Sequence, residues 1–322
     1  MNATETACRS CGVFAASRLL EVGGGFSLRQ CGGCGLVSTV PELSAAEMSR
    51  HYPAAYYGAR NRRFWTTLER LIPWFRARRA DVIERSVPRG RMLDVGCGRG
   101  YLPAILRHRG WDARGIEISE QAAEHAQAVL GVPVHVGTIH DGGFEDATFD
   151  AIVIWHVLEH IADPVAALRK ARELLRPDGL LIVAVPNYSS LQARLSGRHW
   201  FHLDIPRHYH HLRLEVLKRL LLENGFEIRK TSHFVFEQNP FGWIQSLYNL
   251  LGFRQNLLYE ILKDESARSE KHPLQAHPLQ SAAVFALLPA VAAASLALFF
   301  LEVLLRRGGT VEVHARRPAR EE

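Results

Sequence analysis

The sequence predicts an α/β fold in which a mostly parallel sheet carries helices on both faces. Short apolar runs alternate with amphipathic segments between residues 91 and 236, which is the pattern of repeated strand and helix units. The run 150–155 is apolar after its first residue, as expected for a strand buried on both faces. A glycine-rich loop follows the first predicted strand, so we expect a ligand at the carboxyl edge of the sheet.

The individual elements follow from these patterns. The predicted strands are 91–95, 113–118, 132–136, 150–155, 180–185 and 226–232. The predicted helices are 102–109, 120–130, 164–175 and 214–224, and Gly131 ends the second of them. A turn is placed at 176–179. A last strand is predicted at 310–316, because apolar and polar residues alternate there.

Five regions of different composition organise the chain of 322 residues, which is longer than one small domain requires. We expect a cysteine module over 1–40, a basic aromatic helical linker or cap over 41–90 and the main α/β domain over 91–236. An apolar helical region over 237–309 and a last strand with a tail over 310–322 complete the chain. The amino terminus shows no secretory signal, so a cytoplasmic location is expected.

The net charge of +6 is concentrated in the linker. Between Arg60 and Arg91 there are ten arginines against three acidic residues, and aromatic side chains are interleaved with them. This combination suits an anionic membrane surface or a nucleic-acid backbone. A solvated helix that caps the next domain is an equally good interpretation of the same residues.

Four of the five cysteines form two Cys-x-x-Cys pairs. The pairs are nineteen residues apart, and a glycine follows each of them. This spacing predicts a zinc ribbon, and a closed shell of four thiolates predicts a structural ion. The predicted ligands are Cys8, Cys11, Cys31 and Cys34. Cys97 lies in the glycine loop, where we expect a small packed residue.

The loop after the first predicted strand carries the strongest signal for a ligand. Asp94 ends the strand, and Glu117 ends the second strand at the distance where a carboxylate commonly meets ribose hydroxyls. A dinucleotide fingerprint would require glycine at 101, where this chain has Tyr101. The glycines of the loop are Gly96, Gly98 and Gly100.

Together the segments 93–100, 115–117, 149–150 and 174–179 resemble the motif series of class I S-adenosylmethionine-dependent methyltransferases. The segment 155–160 resembles the small-molecule methyltransferases related to ubiquinone-biosynthesis O-methyltransferases. The resemblance covers about residues 91–232. It implies a Rossmann-like seven-stranded sheet whose last strand inserts antiparallel beside the strand at 226–232. It also implies S-adenosylmethionine as cofactor.

The resemblance assigns roles to individual residues. Around the methionine end of the cofactor it places Asp94, Gly96, Gly98 and Gly100. Glu117 would hold the ribose, and His156 would lie near the sulfonium. The residues expected to border the adenine are Ile118, Thr138 and Ile139, although the acidic residue usual in that turn is not found at 138.

Methyl transfer needs alignment of donor and acceptor and, where required, a base that removes a proton from the acceptor. Histidine suits that role near neutral pH. The segment 198–208 resembles the part of related methyltransferases that covers the acceptor, so His208 is the first choice for a base or substrate contact and His156 the second. Structural hydrogen bonding is the alternative role for each. The candidate histidines are His156, His160, His199, His202, His208, His210 and His211.

The segment 282–305 is long and apolar enough to span a bilayer, and two arginines follow it. A last strand at 310–316 must nevertheless lie on the same side of the membrane as the rest of the sheet. The residues from 243 to 262 show the periodicity of one amphipathic helix that is too polar to span. We therefore predict a helical hairpin over 241–307 that lies in one leaflet, on the inner face of the membrane. A single-pass anchor, or a helical pair packed on the domain or on a partner subunit, are the alternatives.

The sequence thus predicts a methyltransferase for a small molecule, with an amphiphilic or lipid-linked acceptor as the leading hypothesis. The zinc ribbon and the arginines leave an RNA methyltransferase as an alternative, and a cofactor-binding scaffold without catalysis as another. Against the RNA alternative, residues 155–158 lack the Asn/Asp-Pro-Pro-aromatic motif of many amino-methylating enzymes of nucleic acids. The acceptor, the methylated atom and the oligomeric state stay open.

Overall fold

The computed structural model describes residues 7–13, 17–51, 64–264 and 272–319. Three arginines of the predicted linker, Arg60, Arg62 and Arg63, lie outside these ranges. The strands are, in chain order, β1 (Ser17–Gly23), β2 (Phe26–Cys31), β3 (Val37–Val40), β4 (Arg91–Val95), β5 (Asp112–Glu117), β6 (Val134–Val136), β7 (Phe149–Trp155), β8 (Leu175–Pro186), β9 (His210–His211), β10 (Glu227–Ser232) and β11 (Thr310–Arg316). The α-helices are α1 (Ala45–Ser49), α2 (Thr66–Glu69), α3 (Ile72–Ser86), α4 (Tyr101–His108), α5 (Glu120–Leu130), α6 (Pro164–Leu174), α7 (Leu191–Ser196), α8 (Leu214–Glu223), α9 (Asn239–Leu250), α10 (Leu257–Leu262), α11 (Pro273–Ala276) and α12 (Pro278–Leu304).

A seven-stranded sheet in the order β10-β11-β8-β7-β4-β5-β6 forms the centre of the protein. The pairs β4/β5, β4/β7, β5/β6 and β7/β8 are parallel, whereas β11 is antiparallel to both β8 and β10. Val313 is opposite Val183 on one side and Thr231 on the other. The predicted seven-stranded fold with an inserted antiparallel last strand is therefore confirmed.

Apolar side chains cover both faces of the sheet. On one face, Ile152 and Val183 belong to a buried cluster with Leu168 of α6 and Leu217 of α8. On the other face, a second cluster joins the sheet to α3 and α4. The predicted turn at 176–179 instead lies within β8, which begins at Leu175. Phe149 of β7 is opposite Leu175, and Ala151 is opposite Leu180. Residues 176–179 therefore form an irregularity within β8 that has no partners on β7.

The cysteine module is attached to the main domain by main-chain pairing. Strands β1, β2 and β3 form an antiparallel sheet, and β9 extends it beyond β3. Arg219 of α8 donates a hydrogen bond to the carbonyl oxygen of Cys34 at 2.7 Å. Leu36 belongs to the same buried cluster as Val216. The module therefore packs over the segment that follows β8.

The basic linker turns several of its charges towards the protein. Helix α3 packs against α4, and Arg76 and Arg79 of α3 form ion pairs with Glu237. Asp81 and Glu84 of the same helix pair with Arg109 at 2.7 and 2.8 Å. This packing is that of a helix capping the domain, which was one of the two interpretations of the basic stretch.

The prediction of one amphipathic helix from 243 to 262 is wrong. The segment forms two helices, α9 and α10, and Gly252 and Asn256 between them have positive φ angles of 83° and 59°. The polar residues Gln245 and Asn249 are buried instead of facing solvent. Gln245 accepts from the amide of Tyr259 and Asn249 from the amide of Asn256, both at 2.9 Å. These hydrogen bonds hold the two helices together, and periodicity alone does not reveal them.

Helix α12 is 27 residues long and is, by length and composition only, the one helix of the described ranges able to cross a membrane. One narrow face of α12 packs on the domain. Ser295 donates to the carbonyl oxygen of Pro240, and Glu302 accepts from Trp243 Nε1 at 2.9 Å. The buried residues are three, four or seven positions apart, which places them on one side of the helix, and they are Ser281, Val284, Val291, Ser295, Phe299 and Glu302. The remaining faces of the helix expose leucine and phenylalanine side chains.

The neighbours Phe299 and Phe300 test whether α12 is docked in this way. Phe299 is fully buried, whereas the side chain of Phe300 is 59% exposed. We expect Phe299→Ala to lower the free energy of unfolding by about 3–5 kcal/mol, since it leaves a cavity. The control Phe300→Ala should stay within about 0.5 kcal/mol. Urea unfolding of both variants in the same detergent measures the difference, and equal effects would contradict the docking of α12.

Candidate active site

The glycine loop after β4 has a backbone that larger residues would not tolerate. Gly96 and Gly100 have φ angles of 71° and 78°, in the left-handed region. A Cβ at Gly96 would overlap the side chain of Val157, and one at Gly100 would lie 2.7 Å from Ala126 Cβ. Gly98 has a φ of 55° and open space on its side-chain side. The loop thus packs tightly at both ends and leaves its middle accessible to a ligand.

Glu117 is held at the carboxyl end of β5 by the loop itself. Its Oε2 accepts from the amide of Gly98 at 2.8 Å, and its Oε1 accepts from the amide of Ser119 at 3.0 Å. The residue is buried. Because each carboxylate oxygen has two acceptor sites, this carboxylate keeps the capacity to accept from a pair of hydroxyl groups.

Asp94 is buried at the end of β4, beside the same loop. Burial raises the pKa of its carboxyl to about 7, although Arg79 and Arg76 act in the opposite direction. No hydrogen bond to its side chain is present within the described ranges. A buried carboxyl without a hydrogen-bond partner is costly, so this position fits a ligand that supplies a donor or a positive charge.

The residues expected at the adenine lie in different surroundings. Ile118 is 63% exposed, whereas Ile139 is buried in the same apolar cluster as Ile116. Thr138 donates both its amide and its hydroxyl to Asp141 Oδ2, at 3.0 and 2.6 Å. Asp141 is thus an acidic residue of this turn that the sequence analysis missed. The spacing of three residues between Thr138 and Asp141, typical of a side-chain-capped turn, was the available signal.

His156 follows β7 in a backbone conformation with a φ of 53°. Its Nδ1 lies 3.3 Å from Glu159 Oε1, and its Nε2 lies 3.5 Å from the hydroxyl of Thr310 at the start of β11. Burial and the charge of Arg79 lower the pKa of His156 to about 3. The imidazole is therefore neutral at pH 7, and one of its ring nitrogens can accept a hydrogen bond.

His208 lies deeper, in a group of polar side chains next to His156. Its ring centroid is 4.5 Å from that of His160, and its Nε2 is 3.8 Å from Asp204 Oδ2. Burial, with the neighbouring His160, lowers its pKa well below the usual value. Glu159, His160 and His208 each offer a ligand atom within 4.8 Å of the others, so this group could hold a cation.

Glu159 connects the two histidine positions. Burial raises the pKa of its carboxyl to about 7. Apart from the 3.3 Å contact between its Oε1 and His156 Nδ1, neither carboxylate oxygen has a hydrogen-bond partner among the described residues. An acid with this pKa can exchange a proton near neutral pH. Glu159 lies inside the motif at 155–160, and no local pattern in the sequence sets it apart as a site residue.

The other candidate histidines have structural partners or lie at the edge of the site. His210 Nδ1 is 3.0 Å from Ser38 Oγ, and His211 Nε2 is 3.0 Å from Thr39 Oγ1, so both connect β9 to β3. His199 Nε2 accepts from its neighbour Arg198 at 3.3 Å. The ring centroid of His202 is 6.1 Å from that of His156, which places His202 beside the candidate site.

A buried ion-pair group that the sequence analysis did not predict completes this edge of the sheet. Arg79 stacks over the ring of Trp155 with 3.6 Å between guanidinium carbon and ring centroid. Arg76 and Arg79 together bind Glu237. Burial would raise the pKa of Glu237, but the two guanidinium groups outweigh it and lower the pKa. Arg76, Arg79, Ala80 and Ile83 share one face of α3, and this helical spacing was a usable signal.

The four paired cysteines converge as a single group, whose Sγ atoms all lie within 4.8 Å of one another. The distance from Sγ to Sγ is 3.4 Å between Cys8 and Cys34 and 3.8 Å between Cys11 and Cys31. These distances are too long for disulfide bonds. They fit four thiolates around one tetrahedral ion. Cys97 is packed against Gly115 and belongs to none of these groups.

Comparisons with known proteins agree with this geometry. The family described as a methyltransferase domain matches residues 59–231. A ubiquinone biosynthesis O-methyltransferase of Cereibacter sphaeroides is 30% identical over 168 residues, which are 49% of this chain and 67% of the relative. An uncharacterized 37.1 kDa protein in a transposon of Streptomyces fradiae is 37% identical over 106 residues, 31% of either chain.

Among solved structures, a SAM-dependent methyltransferase of Thermotoga maritima, described as a possible histamine N-methyltransferase, is similar with a TM-score of 0.45. It is 18% identical, and the match covers 78% of this chain and 95% of that one. The family match spans more than half of the chain and contains the glycine loop, Glu117 and His156. The protein therefore belongs to the methyltransferase-domain family and is a class I S-adenosylmethionine-dependent methyltransferase.

Proposed function

We propose that the protein methylates an amphiphilic or lipid-linked small molecule at a membrane surface. One observation carries this proposal. The segment between β10 and β11 leaves and re-enters the sheet at the edge where the glycine loop and His156 lie, and its longest helix exposes apolar side chains. Exposed apolar area of this extent marks a surface that contacts apolar material. An acceptor that partitions into a bilayer would thus meet the enzyme next to its reaction site.

The cofactor would lie along the carboxyl ends of β4 and β5. When bound, S-adenosylmethionine supplies the electrophilic methyl group. Glu117 would accept the ribose hydroxyls, and Asp94 would accept from the amino group at the methionine end. Gly98 would let the backbone approach the ligand closely. Ile118, Thr138 and Ile139 are proposed to border the adenine, with Asp141 holding Thr138 in place.

Proton removal from the acceptor would use the buried polar group behind β7. We assign His156 to the side of the sulfonium because it follows β7 directly and contacts Thr310 of β11. His208 would contact the acceptor or its proton. Burial lowers the pKa of both imidazoles and so weakens them as bases. Glu159 lies between them, and its raised pKa makes it the group best able to accept the proton.

The name of the first relative supports a small-molecule acceptor. The arginines of α3 that pair with Glu237 are directed into the domain, which removes them from any nucleic-acid surface. We propose that the protein is peripheral or monotopic on the cytoplasmic face of the membrane, with residues 241–307 at the bilayer. A closed four-cysteine shell would carry zinc in a structural role.

Labelling of crude fractions tests the proposed function. The full chain and S-adenosylmethionine labelled at the methyl group are incubated separately with membrane, RNA and soluble extracts. We expect label in an organic-solvent extract of the membranes and flotation of the protein with anionic liposomes. Label that appears only in RNA would overturn the proposal. Cofactor binding without transfer to any fraction would instead favour a non-catalytic scaffold.

Replacement of the ribose carboxylate tests the cofactor site. Glu117→Ala removes the acceptor for both hydroxyls and the hydrogen bond from Gly98, so we expect S-adenosylmethionine to bind about 10- to 100-fold more weakly. Isothermal titration calorimetry measures this dissociation constant. The control is Glu120→Ala, which changes an exposed carboxylate of α5 by the same substitution. Equal affinities for the two variants would place the ribose elsewhere.

Removal of one thiolate tests the metal site. We expect one zinc ion per chain by inductively coupled plasma mass spectrometry, and much less in Cys31→Ser. Because Cys31 and Cys34 belong to the cluster that includes Leu212 and Val216, loss of zinc should also lower the melting temperature. Cys97→Ser serves as the control and should retain a full equivalent. A wild-type protein that contains no zinc, and whose melting temperature equals that of Cys31→Ser, would contradict the assignment.

A further inference from the structure

A cavity of about 500 Å³ lies between α3 and the face of the sheet formed by β7, β8, β10 and β11. It does not belong to the glycine loop or to the buried histidines. Trp155 and Arg79 line it at the carboxyl edge of the sheet, next to the candidate active site. Arg85 and Lys230 line it further from that edge. The volume is that of a small-molecule site.

The charges around this cavity are unevenly compensated. Two of its three carboxylates already have a cationic partner, because Asp81 pairs with Arg109 and Glu237 with the arginines of α3, while Glu312 lies against the imidazole of His314. By contrast, Arg78, Arg85 and Lys230 form no ion pair within the ranges that the structure describes. Three cations that line the same cavity attract a ligand that carries negative charge.

Two buried donors at the inner end of the cavity also lack acceptors. Arg79 Nε and Trp155 Nε1 are both buried and have no hydrogen-bond partner among the described residues. The side chain of Arg79 is only 10% exposed. Because protein atoms cover both of them, these two donors lie outside the surface that a ligand in the cavity would contact.

An apolar path joins the cavity to the exposed surface of α12. Phe234 and Phe236 line the cavity. Their ring centroids are 5.2 and 5.8 Å from that of Phe299, which is in turn 5.2 Å from the exposed ring of Phe300. A chain of aromatic rings therefore runs from the cavity to the apolar side of α12. Such a path suits an alkyl or prenyl chain.

We infer that this cavity binds the acceptor, and that the acceptor is an amphiphile with an anionic group, a phosphate or a carboxylate, attached to an apolar chain. The anionic group lies among the cations Arg78, Arg85 and Lys230, and the chain follows the phenylalanines towards α12. This inference rests on the proposed function and adds the chemical class of the substrate. Charge complementarity, not the apolar surface alone, distinguishes this acceptor from a neutral lipid.

Calorimetric titration of the full chain with octyl phosphate, octanoate and octanol, each below its aggregation limit, tests the inference. We expect the two anions to bind at least about tenfold more tightly than octanol, since they pair with the cations that line the cavity. The tighter of the two anions identifies the anionic group. In Arg85→Gln/Lys230→Gln the preference for the anions should be lost, whereas the affinity for S-adenosylmethionine should not change.

The matched control is Arg89→Gln/Arg229→Gln, which removes the same charge from neighbouring exposed positions that do not line the cavity. It should bind octyl phosphate as the wild type does. If both double variants lose the same affinity for octyl phosphate, the effect comes from the net charge of the protein and not from the cavity, and the inference is overturned. Competition between octyl phosphate and S-adenosylmethionine would also overturn it, because the anion would then occupy the cofactor site.

Methyl transfer to the membrane extract separates this inference from the proposed function. Loss of anion binding in Arg85→Gln/Lys230→Gln, with a matching rise in KM for the extracted acceptor, supports both. Loss of anion binding with unchanged transfer overturns the inference and leaves the proposed function in place. Anion binding by a wild-type protein that transfers no methyl group to any extract contradicts the proposed function, and with it the assignment of the cavity to an acceptor.

Discussion

The antiparallel insertion of β11 between β8 and β10 is the constraint on which the rest of the structure depends. Main-chain hydrogen bonds on both sides hold this strand, and it starts opposite Pro186 at the carboxyl end of β8. The chain between β10 and β11 must therefore begin and end at the same edge of the sheet. Because β11 follows α12 closely, the carboxyl end of α12 must lie at this edge. Polar contacts to Pro240 and Trp243 hold the helix against the domain.

The same edge collects charged groups that water barely reaches. Asp94, Glu159 and Glu237 are all buried or nearly so, and Arg76 and Arg79 lie among them. Burial of unpaired charge is costly, so the pKa values of Asp94 and Glu159 rise while paired Glu237 stays ionised. Such shifts cluster at functional sites because catalysis needs groups that change protonation near neutral pH.

The added modules act on this edge from two directions. The cysteine module pairs with β9 and thereby supports the segment that carries His208. The segment between β10 and β11 contributes Glu237 and the two phenylalanines, Phe234 and Phe236, that line the cavity. Each module thus packs against part of the candidate site, and the polar groups proposed to face the acceptor lie close to both.

The amino-acid sequence by itself determined the strands of the sheet and the position of the glycine loop. It also determined that Glu117 ends a strand and that four cysteines form one group, because all of these depend on local periodicity and short-range motifs. Residues 120–130 and 310–316 form a helix and a strand as predicted. Tertiary structure alone decided that the segment 243–262 breaks into two helices, because buried hydrogen bonds of Gln245 and Asn249 outweigh the amphipathic pattern. It also decided that Arg79, one of ten arginines in its stretch, meets Glu237 and Trp155. Arg79 and Glu237 are 158 positions apart, and no local pattern in the sequence shows which distant residue will bury and pair with a given charge.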